Sequence, residues 1–173
     1  KSKPYHFLLA GIINGLGVLA KGPVALLILM LTYFVFWLTQ SRKKEDFISW
    51  PKLLMFALGV LLMSGLWFGP ETVRRGPEFI VEFFTYMIGL ASKDIATHGQ
   101  PFYYHFIVIF IFCFPISIFG LKNILKTSKG EKYNFNYWML ILFWVVLILF
   151  SLVKTKIVNS SSMTYFPLAY LAT

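Results

Sequence analysis

Residues 6–38 read HFLLAGIINGLGVLA, then KGP, then VALLILMLTYFVFWL, and Lys21 is the one Asp, Glu, Lys or Arg among them. Two apolar arms, about His6 to Ala20 and Val24 to Leu38, therefore form a helical hairpin with Lys21-Gly22-Pro23 at its tip. At 1.5 Å per residue, an arm of this length reaches roughly 22 Å. That is short of the roughly 30 Å of hydrocarbon in a bilayer, so the tip belongs near or below one membrane surface. Pro23 suits the first turn of the returning helix, where its missing N–H costs nothing.

The rest of the chain continues the pattern. Further apolar segments run from about Leu53 to Phe68, Phe102 to Leu121, Tyr137 to Val153 and from Val158 to the last residue, separated by short stretches that carry nearly all the charge. Of 173 residues, 58% are hydrophobic, 19% aromatic and only 13% charged. A soluble domain of this size cannot enclose so much apolar surface, so the solvent is lipid. The expected fold is all-α, a polytopic transmembrane helical bundle with spans over 6–20, 24–38, 53–68, 102–121, 137–153 and 158–173. The net charge of +9 is spread over several loops rather than gathered on one face, which excludes nucleic acid as a partner. The single cysteine, Cys113, forms no internal disulfide. The start without Met and the stop within an apolar run suggest a piece of a longer protein.

Charge sets the sidedness. With Lys1 and Lys3 in the cytoplasm, the inside segments, including Ser41–Lys52 and Lys122–Asn136, hold ten of the sixteen basic residues. The Lys21 tip, the Gly69–Pro101 loop and Lys154-Thr155-Lys156 then share the outer face, where an active site is expected. Within that loop Phe79, Ile80, Phe83, Phe84, Met87 and Ile88 recur at helical spacing opposite Glu78, Glu82, Thr85 and Gly89, which predicts an interfacial helix.

Candidate chemistry is sparse. Lys21 has two readings: an ammonium that clamps a lipid phosphate beside the permissive backbone of Gly22, or a hairpin-tip lysine that snorkels to water. Lys154 and Lys156 stand where the positive-inside rule disfavours them, as site residues or as interfacial anchors. Arg74, Arg75 and Lys93 read as solvated loop charges. His98 and His105 are conceivable metal ligands without a clustered partner set, and Glu78, Glu82 and Asp94 are conceivable bases without a pairing group. A transporter or channel segment is the competing class, supported only by Asn14 and Ser64 within the spans.

Four stretches in order carry a resemblance: Gly15-Leu16-Gly17-Val18-Leu19-Ala20-Lys21-Gly22-Pro23; Gly76-Pro77-Glu78-Phe79 with Phe83-Phe84; His98-Gly99-Gln100-Pro101-Phe102-Tyr103-Tyr104; and Phe150-Ser151-Leu152-Val153-Lys154-Thr155-Lys156. They resemble the aminoarabinose transferase and dolichyl-phosphate-mannose protein mannosyltransferase-like group of C-type membrane glycosyltransferases. The resemblance implies a multi-pass protein of the bacterial cytoplasmic membrane. It would transfer a sugar from a polyprenyl-phosphate donor to a lipid or protein acceptor on the outer face, by inverting displacement. It implies substrate-binding roles for Lys21, Lys154, Lys156, His98 and Tyr104. The catalytic carboxylate is expected in an outer loop upstream of Lys1, so these residues alone are expected to be inactive. No cofactor is implied with certainty, although a divalent metal is possible. Relatives carry a basic residue near Gly89 and an aromatic or histidine-containing stretch near Asn159-Ser160-Ser161, and this sequence departs from both.

Overall fold

A computed structural model describes residues 3–40, 48–92, 101–126, 135–153 and 158–173. All regular structure among them is helical: α1 (Pro4–Lys21), α2 (Val24–Gln40), α3 (Trp50–Arg75), α4 (Glu78–Ser92), α5 (Tyr104–Phe112), α6 (Ile116–Lys126), α7 (Phe135–Leu152), a 3-10 segment (Val158–Thr164) and α8 (Tyr165–Leu171). Two of these helices, α3 and α7, are long and apolar enough to cross a membrane, and α5 with α6 makes a third if the bent pair is one span. The chain divides into two compact units, residues 1–30 with 42–87 and residues 31–41 with 88–173.

The first unit is built on a glycine seam. Gly11 and Gly15 of α1 are buried and face Gly59 and Val60 of α3. A methyl group placed on Gly59 would meet the carbonyl oxygen of Leu8 and lie 2.9 Å from Ile12 N and 3.0 Å from Gly11 Cα. One on Gly11 would meet the carbonyl of Phe56. Small residues four apart let two backbones touch, and in lipid that dispersion contact replaces a hydrophobic drive that the solvent no longer provides. Val18, Ala25 and Val60 close the core beside the seam, with Leu26, Phe56 and Phe68 packed on them.

In the second unit α7 is the central element, burying Met139, Phe143 and Leu147 against Ile109, Ile124, Leu168 and Leu171. Its first turn stacks Trp138 on Phe36, with ring centroids 4.1 Å apart. Asn123 donates to the Leu171 carbonyl at 2.9 Å, and Tyr170 donates to Asn136 Oδ1 at 3.0 Å, which ties α6 and α7 to α8 by polar contacts.

The structure departs from the sequence reading at three places. Residues 69–75, expected in the outer loop, continue α3 through Pro70 to a cap at Gly76 (φ 88°). The expected single span 102–121 is two helices bent by 112° about Cys113-Phe114-Pro115. Pro115 has no N–H to give the Ile111 carbonyl, so the ladder breaks there. The Phe114 N–H turns back to Ile111 at 3.3 Å, and the Ser117 hydroxyl donates to the Phe110 carbonyl at 3.0 Å. Finally, residues 158–173 begin as a 3-10 segment before the short α8.

Candidate functional site

The first unit gathers two of the motif stretches at the α1–α2 turn. Lys21 is the last residue of α1, half-buried. Gly22 follows with φ 72°, in the left-handed region that side-chain-bearing residues avoid, and its N–H donates to the Val18 carbonyl at 2.8 Å. The Gly22 carbonyl accepts from Ala25 at 3.2 Å, and α2 starts at once. The N-terminal end of α2, the positive end of its dipole, follows Lys21 within three residues, and helix N-termini are settings that hold anions.

The turn is walled by α4. A Cβ placed on Gly22 would lie 3.2 Å from Met87 Sδ and 3.6 Å from Phe83 Cζ. Phe83 packs edge-on against Phe68 of α3, 5.1 Å between centroids. Phe79, one turn earlier on α4, contacts Trp67 at 5.8 Å and Phe68 at 6.3 Å. The α4 stripe read from the sequence is thereby split: Phe79, Phe83 and Met87 are half-buried, whereas Ile80, Phe84 and Ile88 are exposed. Glu78 and Glu82 lie on the exposed side.

Sequence reasoning missed the corner where α3 meets α4. Arg75 Nε pairs with Glu71 Oε1 one turn back, and the guanidinium carbon lies 5.6 Å from the Phe79 ring centroid. The signal was present as the spacing Glu71, Arg75, Phe79, four residues apart each time. It was obscured by Gly76-Pro77, which reads as the middle of a loop.

Tyr104 belongs to the second unit, in the first turn of α5. Beside it His105 is fully buried, its ring 5.3 Å from that of Tyr104 and 6.5 Å from Phe150. Lys154, Lys156, His98, Lys93 and Asp94 lie outside the described residues. Among the described residues no three His, Cys, Asp or Glu side chains come together as metal donors, so the divalent metal considered above has no built site among them. Ser64, one of two polar residues noted within the spans, donates to the Val60 carbonyl of its own helix at 2.7 Å. Asn14 Oδ1 is buried with no hydrogen-bond partner among the described residues.

No family model matches the chain, and no solved structure matches it. Curated relatives do. An undecaprenyl phosphate-alpha-4-amino-4-deoxy-L-arabinose arabinosyl transferase of Pectobacterium carotovorum is 28% identical over 94% of this chain and 29% of its own length. Its counterpart in an Enterobacter species is 29% identical over 95% of this chain and 30% of the relative. A second transferase of that name in Sodalis glossinidius is 31% identical over 98% of this chain and 30% of the relative. The chain thus spans less than a third of the length of the relatives it matches. With its apolar helices, the match makes it a membrane protein.

Proposed function

From a chain homologous along nearly its whole length to the aminoarabinose transferase group of membrane glycosyltransferases, we propose that it forms the donor-phosphate half of an outer-face glycosyltransferase site. The donor is a polyprenyl-phosphate sugar. The observation that carries the reading is the Lys21-Gly22 turn, where a lysine, a side-chain-free backbone and the N-terminus of α2 follow one another and Phe83 and Met87 pack over Gly22.

In the proposed reaction an acceptor oxygen attacks the anomeric carbon, the bond from that carbon to the phosphate oxygen breaks, and the sugar inverts. The departing polyprenyl phosphate gains charge as the bond breaks. Lys21 and the α2 terminus stabilise that charge more strongly than the ground state, which is how a fixed electrostatic group lowers a barrier. The resemblance to those transferases, rather than any placement in the fold, extends the proposed substrate-binding set to Lys154, Lys156, His98 and Tyr104. The acceptor is a lipid or a protein. The base that takes the acceptor proton is a carboxylate outside these residues, so they bind donor without turning it over alone. The home of the whole is the bacterial cytoplasmic membrane.

The reading requires the turn to face outward, and sidedness tests it. In a Cys113→Ser background, a cysteine at Thr155 is expected to react with an impermeant thiol reagent on intact cells, and one at Lys43 only after lysis. Labelling of Lys43→Cys but not Thr155→Cys on intact cells would invert the topology and remove the proposed face.

A further inference from the structure

We propose that Arg75 is a positioning residue for the Lys21-Gly22 turn, acting through α4 and not on the substrate. The inference rests on the reading of that turn as the phosphate-holding element. Side-chain contacts to α3 and to the Gly22 turn hold α4 in its unit. One path among those contacts begins at Glu71. Glu71, with a side chain only 16% exposed, pairs with Arg75, which is 62% exposed. The Arg75 guanidinium reaches across the Gly76 corner to the Phe79 ring. Phe79 touches Phe68, Phe68 holds Phe83 edge-on, and Phe83 with Met87 closes over Gly22.

Arg75 thus bonds to α3 on one side and to α4 on the other. A planar guanidinium can hold a carboxylate and lie against a ring at the same time, which a lysine ammonium does less well. Its neighbour Arg74 carries the same charge at the same helix end, is exposed, and makes no ion pair among the described residues. Both arginines complement the α3 dipole. Only Arg75 has the geometry to seat α4, so the pair separates positioning from general charge.

The test uses the complete protein in lipid nanodiscs, with undecaprenyl phosphate as the binding probe and a polyprenyl-phosphate sugar as donor. Arg75→Gln is expected to raise the probe Kd and the donor KM about 5- to 10-fold, the scale that one cation–π contact and one i,i+4 pair supply together. Acceptor KM stays within twofold, and kcat falls, because the displaced ammonium is the group that stabilises the departing phosphate. Arg75→Lys recovers part of the loss, Arg74→Gln stays within twofold, and Glu71→Gln, which leaves the guanidinium over Phe79, gives a smaller loss of the same kind. In a Lys21→Ala background the Arg75→Gln effect shrinks below twofold, because no ammonium remains to be placed. An equal loss in Arg74→Gln, or a full Arg75 effect without Lys21, would overturn the positioning role while leaving the turn in its own. Unchanged probe affinity in Lys21→Ala alone would instead sink the underlying reading.

Discussion

Gly59→Leu is expected to destroy the α1–α3 seam, whereas Gly65→Ala, two turns further along the same helix, is expected to be harmless. The contrast follows from what a side chain would meet. At Gly59 a Cβ collides with backbone atoms of Leu8, Ile12 and Gly11, which cannot rotate away. At Gly65 nothing lies within 4 Å. Overpacking a tight contact costs about 1–3 kcal/mol where neighbours can adjust, and more where they cannot. Replacing a helical glycine by alanine returns up to about 1 kcal/mol. The complete protein with Gly59→Leu should lose its monodisperse folded peak in detergent at temperatures the unaltered protein survives, and Gly65→Ala should hold or gain a little. Equal behaviour of the two variants would mean that the helices do not touch through these glycines.

The second large effect belongs to Lys21. A charge-assisted bond from its ammonium to the donor phosphate is worth about 1.5–3 kcal/mol, which is roughly 10- to 100-fold in affinity. Lys21→Ala is therefore expected to weaken undecaprenyl phosphate binding by that factor, with Lys21→Arg keeping part of it through the same charge in a different shape. The snorkelling alternative makes a different forecast, because a lysine that only reaches from the turn to water anchors the chain and does not bind ligand. Unchanged Kd in a folded Lys21→Ala variant would assign the residue to that lesser role.

Much of this was legible because lipid imposes a simple grammar. A charge inside a long apolar stretch marked the turn between α1 and α2, and the repeat of Phe79, Phe83 and Met87 marked α4, since neither inference needs distant contacts. Hydropathy was blind to the α5–α6 break, because Cys113, Phe114 and Pro115 are as apolar as their neighbours and only the missing N–H of Pro115 matters. It placed residues 158–164 in a span where the structure has a 3-10 segment, in a run rich in serine, a residue type that favours caps and turns over helix interiors. Pro70 misled in the opposite direction. Read as the start of a loop, it lies inside α3, where one lost ladder bond is offset by a helix that continues on both sides. The wall over Gly22 was out of reach for a different reason. The stripe on α4 shows which residues are apolar, and only the fold decides which half of them covers the turn.

The most direct test of the account is sugar transfer by the complete protein in nanodiscs, run beside these 173 residues alone. Each is supplied with a polyprenyl-phosphate sugar or the matching nucleotide sugar, a lipid acceptor, and a mass-spectrometric readout of product. The account predicts product from the complete protein with the lipid-linked donor only, and donor binding without product from the shorter chain. Transfer from the nucleotide sugar, or turnover by the 173 residues themselves, would contradict it.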